Sequence, residues 1–142
     1  MRLHPAGAET AMQRWTGSAT VLLVDDEDLV RATTADMLAD AGFVVTQAGS
    51  GLQALQLLRS GLRPDALVTD YAMPGMTGGA LAQEVRALCP GMPVLLITGY
   101  ASLADREAGS LPRLSKPFRQ TDIVALLGEL LEAARRVPQE VA

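Results

Sequence analysis

Asp25, Asp26, Asp70, Thr98 and Lys116 are the residues of this chain whose types and placement could do chemistry together. Asp70 closes the run Asp65-Ala66-Leu67-Val68-Thr69-Asp70, and a Pro/Gly-rich stretch, Tyr71-Ala72-Met73-Pro74-Gly75-Met76-Thr77-Gly78, follows at once. A strand that ends on a carboxylate and then breaks presents that carboxylate at the rim of a sheet. In the same way Val21-Leu22-Leu23-Val24 runs into Asp25-Asp26, Val94-Leu95-Leu96-Ile97 into Thr98, and Leu114-Ser115 into Lys116-Pro117-Phe118. Carboxylates crowded at one rim repel one another, and the single ammonium leaves two negative charges uncompensated. A divalent cation makes up the difference. Mg2+ suits an all-oxygen site because it keeps several waters and binds through one or two carboxylates plus a phosphate. The neutralised rim could then admit a phosphoryl group to an aspartate oxygen, with the cation, the ammonium and the hydroxyl as partners for its equatorial oxygens.

Taken singly, each residue has an ordinary explanation. Asp25 and Asp26 could cap a helix, and Asp70 could be a turn aspartate. Thr98 could bond to backbone at a strand end, and Lys116 could be a surface lysine lying along Phe118. Their joint fall at successive carboxyl ends favours a shared site.

The elements that must position them alternate. Strand-like runs lie near 20–25, 43–48, 65–70, 93–98 and 111–115, rich in Val, Leu and Ile and flanked by Gly or Pro. Residues 94–97 are apolar throughout, as expected of a central strand covered on both faces. Helical patterns occupy 28–41, 51–60, 77–89 and 120–135. The first opens on the acids Asp26, Glu27 and Asp28, the third on Thr77 and the last on Thr121, all suited to helix N-termini. Ile123, Leu127, Leu130 and Leu131 share one face of the last. The crossover 99–110 is short, with room for about two helical turns. Strands alternating with helices give an α/β fold with a doubly wound parallel sheet and right-handed crossovers. Ligands bind such sheets outside the carboxyl ends of the strands, where all five residues would lie.

Composition bounds the rest. A chain of 142 residues accommodates one core, and 49% hydrophobic with 20% charged residues is a globular balance. The expected organisation is an N-terminal tail over 1–18, one domain over 19–135 and a C-terminal tail over 136–142. Trp15 is expected to pack incidentally on the domain, and His4 to be a solvated bystander. A net charge of -4 argues against a nucleic-acid surface. No run approaches the ~20 apolar residues of a membrane span, and Met1 to Gly17 lacks the apolar run of a signal peptide. The lone Cys89 reads as a half-buried structural thiol and fits a reducing, cytoplasmic setting.

Val24-Asp25-Asp26-Glu27, Asp70 with Met73-Pro74-Gly75-Met76-Thr77-Gly78, Thr98-Gly99-Tyr100-Ala101 and Lys116-Pro117-Phe118 resemble, in order, the motifs of the receiver domain of bacterial two-component response regulators. The likeness covers roughly residues 19 to 135. It implies a flavodoxin-like, five-stranded sheet in the order 2-1-3-4-5, and Mg2+-dependent phosphorylation on aspartate by a histidine kinase or histidine phosphotransfer protein in a phosphorelay. By position, Asp70 is then the phospho-acceptor, and Asp26, Asp70 and the Ala72 backbone carbonyl hold the metal. Asp25 binds it through water, Thr98 and Lys116 read the phosphoryl group, and Lys116-Pro117 is cis. Such a domain catalyses only its own phosphorylation and dephosphorylation and acts through an unknown downstream protein.

The chain departs from the family in two places. Arg113 stands where many receivers carry an aromatic residue, three positions before the lysine, and the short crossover implies a truncated or irregular fourth helix. Ala72 and Tyr100, two positions past Asp70 and Thr98, would flank a water attacking the phosphorus. Two alternatives remain open. Asp26-Glu27-Asp28 after an apolar strand also resembles the first motif of haloacid-dehalogenase-like phosphatases, with Asp26 as nucleophile and Asp28 as acid/base, although only Asp122 follows as a later acid. A pseudo-receiver that binds partners without phosphorylation is the other.

Overall fold

A computed structural model describes residues 19–99 and 109–136. The elements follow as β1 (Thr20–Val24), α1 (Asp28–Asp40), β2 (Val44–Ala48), α2 (Gly51–Arg59), β3 (Ala66–Asp70), α3 (Gly78–Leu88), β4 (Val94–Thr98), β5 (Arg113–Ser115) and α4 (Gln120–Arg136). The strands form one sheet in the order β2-β1-β3-β4-β5, with every neighbouring pair parallel. This is the doubly wound α/β fold expected from the sequence.

The sheet exists because its central strands have two apolar faces. Successive side chains of a strand point to opposite sides. Val21, Leu23, Val68, Leu95 and Ile97 pack with Ala35 and Leu38 of α1 and Ile123, Leu127 and Leu131 of α4. On the other side Leu22, Val24, Leu67 and Val94 meet Ala54, Leu55 and Leu58 of α2 and Leu81, Ala82 and Val85 of α3. Every residue of β3 and β4 is buried, which explains their near-continuous apolar character. The edge strands β2 and β5 are only partly covered.

Helix starts show where local chemistry differs from expectation. Thr77 caps α3 by accepting from Ala80 N at 3.1 Å, and Ser50 caps α2 from Gln53 N at 3.0 Å. At α1 the capping residue is Glu27, whose side chain makes no cap bond. The carboxylate that serves this turn is Asp25, which accepts from Glu27 N at 2.9 Å. The last helix opens at Gln120, one residue before Thr121, because Asp122 Oδ2 reaches back to Arg119 N at 2.9 Å. The expected N-terminal tail over 1–18, with His4 and Trp15, lies outside the described residues, as does the expected C-terminal tail over 136–142 apart from Arg136, which ends α4. Most of the crossover over 99–110, with the expected short fourth helix, lies outside them too.

Parallel strands put their carboxyl ends along one edge. Pairing of Val24 with Thr69 sets Asp25 beside Asp70, and Asp70 itself pairs with Ile97. Order reverses between β1 and β3, so the crevice for a ligand opens there. Core burial should dominate stability. Leu22→Ala, at a fully buried site, should cost about 2–5 kcal/mol in urea unfolding. Leu52→Ala, at a site 59% exposed, should change stability by no more than about 0.5 kcal/mol.

Candidate functional site

Asp25 leaves β1 with its N–H bonded to the Ala48 carbonyl at 3.2 Å, and its side chain is buried. Asp26 follows with an exposed carboxylate. Asp70 ends β3 and is only 7% exposed. Each of these acids brings one carboxylate oxygen to within 4.8 Å of those of the other two. Lys116 completes the group, with Nζ 3.0 Å from Asp70 Oδ1. The Lys116–Pro117 bond is cis, and Lys116 N–H donates to the Thr98 carbonyl at 2.8 Å.

The electrostatics follow from this crowding. Burial pushes the Asp70 carboxyl above the usual carboxylate range; the bond and charge of Lys116 oppose that, and Asp25 and Asp26 add to it. Burial alone would lower the Lys116 ammonium, but the hydrogen bond and charge of Asp70, with the charges of Asp25 and Glu27, hold it above its ordinary value. The acid cluster therefore sits as an anion-rich pocket with one cation on its flank. Its donor set is all oxygen and fits a hard divalent ion.

The Thr98 hydroxyl is buried and has no hydrogen-bond partner among the described residues. Among the described residues the ordinary alternative, a strand-end threonine bonded to backbone, is therefore not found. An unpartnered buried hydroxyl is unfavourable by about 1–3 kcal/mol, and such exceptions call for an explanation. Here the hydroxyl belongs to the residue whose carbonyl anchors Lys116.

The loop after β3 is held close. Gly78 N–H donates to the Tyr71 carbonyl at 2.8 Å, and a Cβ at Gly78 would run into the Asp70 carbonyl oxygen. Gly75 turns the loop with φ 82°. Ala72 lies exposed within it. Residue types marked Gly78 as part of the break after Asp70 but not its close approach to the Asp70 carbonyl, which appears only when the chain is folded. Arg31 was missed as well, because its bonds to the Asp25 carbonyl and Gln47 form only in the folded chain.

Some expected placements do not occur. Asp28 is outside the carboxylate cluster and pairs with Arg31 Nη2 at 3.1 Å, so the Asp26/Asp28 couple of a dehalogenase-like site is not assembled. Asp122, the later acid such a site would need, is used at the start of α4. Arg113, at the position of the usual aromatic, is half-buried and donates from Nη2 to the Gly109 carbonyl at 2.9 Å. Tyr100 lies outside the described residues. Cys89 is half-buried against the α2–α3 core, as a structural thiol would be.

With that geometry in view, residues 21–128 match the model of the response regulator receiver domain. The chain belongs to the response regulator receiver domain family. It is 38% identical over 125 residues to the sensor kinase CckA of Brucella abortus, covering 82% of this chain and 13% of the kinase. To the response regulator MprA of Mycobacterium ulcerans it is 33% identical over 129 residues, covering 88% of this chain and 55% of that protein. The chain thus spans about half the length of such regulators and about an eighth of the kinase. Among solved structures it resembles the receiver domain of a sensor histidine kinase from Pseudomonas aeruginosa, with a TM-score of 0.73 and 28% identity over 81% of this chain and 98% of that one. That receiver was solved with a magnesium ion coordinated in its active-site cleft.

The raised Asp70 carboxyl has a stability consequence for this receiver. An acid whose folded value exceeds its unfolded value favours the fold while protonated, and that advantage fades as pH rises through the folded value. At neutral pH the Asp70 charge therefore disfavours the metal-free fold. Asp70→Asn should raise the metal-free melting temperature by a few degrees at pH 7, and the gain should shrink as pH falls into the carboxylate range. Thermal scans over pH with chelator present check this. A lower melting temperature for the variant at pH 7 would refute it.

Proposed function

We propose that this receiver accepts a phosphoryl group on Asp70, from a histidine kinase or histidine phosphotransfer protein, in a Mg2+-dependent reaction. The observation that carries the reading is the Asp25–Asp26–Asp70 carboxylate cluster with Lys116 on Asp70. It is supported by the buried Thr98 hydroxyl, unpartnered among the described residues, on the residue whose carbonyl accepts from Lys116 N. A tetrahedral anion seated on Asp70 would give that hydroxyl the acceptor it lacks. Asp26, Asp70 and the Ala72 carbonyl would hold Mg2+, with Asp25 acting through water. When bound, the ion neutralises the cluster and screens the incoming phosphoryl oxygens.

The chain's own residues supply the rest. The Asp70 carboxylate attacks phosphorus; the new O–P bond forms as the P–N bond to the donor imidazole breaks, and the imidazole leaves. Lys116 already touches Asp70 Oδ1 at 3.0 Å and donates to a phosphoryl oxygen as negative charge leaves the carboxylate. Thr98 donates its hydroxyl proton to a second oxygen. Burial of Asp70 keeps bulk water from competing with these donors.

In this reading the receiver turns over no substrate but itself, acts in the cytoplasm and passes its state to a protein target. It involves neither nucleic acid nor membrane, and among the described residues no helix is long and apolar enough to cross a membrane. Likeness to both free regulators and a sensor kinase leaves it a module of either kind of relay.

Incubation with acetyl phosphate and Mg2+ should add the mass of one phosphoryl group to the intact protein. Chelator or Asp70→Asn should abolish the shift. Full labelling of Asp70→Asn, or no labelling of the wild type, would overturn the assignment, and the latter would favour a pseudo-receiver. The phosphorylated state should be long-lived, because Ala72 offers no polar group to orient an attacking water. Ala72→Asn should hasten phosphate loss several-fold in excess Mg2+. Loss within seconds from the wild type would contradict this.

A further inference from the structure

Arg31 makes three contacts with one guanidinium: to the turn after β1, to β2 and to the first turn of its own helix. Nη1 donates to the Asp25 backbone carbonyl at 2.8 Å, Nε donates to Gln47 Oε1 on β2 at 3.0 Å, and Nη2 pairs with Asp28 Oδ1 at 3.1 Å. The Arg31 side chain is 17% exposed, whereas that of Asp28 is 89% exposed. An ion pair with so exposed a partner contributes little by itself, so Asp28 does not explain why the guanidinium is buried here. The bond to the Asp25 carbonyl does.

That carbonyl belongs to the peptide group joining Asp25 to Asp26. The group is planar, so fixing its oxygen fixes the rotation of the whole plane. The plane's rotation sets the direction in which Asp26 projects its side chain. Asp25 is already held at its other end by its N–H bond to Ala48 and through its carboxylate bond to Glu27 N. Asp26 is exposed, and Arg31 is what restrains the peptide from which it extends. Gln47 in turn holds the guanidinium from the edge strand, whose register with β1 pairs Gln47 with Leu23.

We infer that Arg31 is a positioning residue for the cation site: it aims the Asp25–Asp26 carboxylates by clamping the peptide between them. The inference rests on the functional reading above, in which those carboxylates take Mg2+. Its sign separates it from a plain charge effect. A cation near the cluster, acting only through its charge, repels Mg2+, so its removal would tighten binding. A clamp, when removed, loosens the ligands and weakens binding, and loss of such an outer-shell contact weakens metal binding by about 10–100-fold.

Calorimetric titration of the full chain with Mg2+, without any phosphodonor, decides between these. Arg31→Ala and Arg31→Lys should both weaken Mg2+ by about 10–100-fold, because lysine keeps the charge but lacks the planar fork. Gln47→Leu, which leaves every charge in place, should weaken it by a smaller factor, and Asp28→Ala should leave it within about two-fold. Titrations run well below each variant's metal-free melting temperature separate positioning from folding. A purely structural role lowers that temperature and leaves the affinity unchanged. Unchanged or tighter Mg2+ binding by Arg31→Lys overturns the inference, and should Arg31→Ala fail to fold, Arg31→Lys and Gln47→Leu decide it. A wild type that binds no Mg2+ would instead overturn the functional reading itself.

Discussion

Mutual repulsion among Asp25, Asp26 and Asp70 is the constraint around which this structure is arranged. Carboxylate oxygens gathered within 4.8 Å, two of them on buried residues, oppose the folded state. Flexible loops carrying the same acids would move apart. Here they cannot, because Asp70 is the last residue of a fully buried strand and Asp25 directly follows a strand whose last four residues are buried. Adjacent parallel pairing fixes the spacing between them. The two apolar layers on either side of the sheet supply the free energy that holds this arrangement, at about 25 cal/mol per Å2 of apolar surface removed from water. Lys116 relieves the repulsion on one flank only. What is left is a fold with a standing preference for a cation.

The same stiffness explains why small residues matter near the site. The loop after β3 must double back onto the end of its own strand, and Gly78 permits this because its backbone lies against the Asp70 carbonyl. Thr77 beside it begins α3 by capping Ala80. Acceptor strand, return loop and helix cap are thus consecutive, and a shift in any of them would move the Asp70 carboxylate. Met76 extends the same packing sideways, with its sulfur 2.7 Å from where a Cβ of Gly51 would stand, so α2 also leans on the loop.

How far the sequence was legible depended on whether a residue's role came from its neighbours in the chain or from residues brought in by folding. Strands β1, β3 and β4 were readable because burial on both faces leaves continuous apolar runs. So was the rim position of Asp70, because the break after it is written in Pro74, Gly75 and Gly78. The sheet order rested on resemblance to known receivers rather than on the pattern of residues. Strand β5 proved shorter than its apolar run, beginning at Arg113, because Leu111 packs onto the α2–α3 core without joining the ladder. The start of α4 at Gln120 agrees with the expected span 120–135, and Asp122, bonding backward to Arg119 N, serves that first turn. Arg31 was invisible because two of its partners, Asp25 and Gln47, lie 6 and 16 residues away and meet it only across the finished sheet edge.

The unpaired Thr98 hydroxyl and the Lys116 ammonium are joined by a single backbone bond, Lys116 N to Thr98 O at 2.8 Å. Neither end of β4–β5 pairing can therefore shift without carrying the other. Thr98 pairs with Ser115, and Leu96 pairs with Arg113, whose guanidinium reaches the Gly109 carbonyl. A pull on Thr98 toward an anion at Asp70 thus has a backbone route to the far side of the crossover. In receivers with an aromatic residue at the Arg113 position, an apolar ring can turn inward to report such a pull. Turning a guanidinium inward would strip water from a charge, which is far more costly than burying a ring. Here the half-buried Arg113 is instead tied to backbone, its Nη2 donating to the Gly109 carbonyl at 2.9 Å.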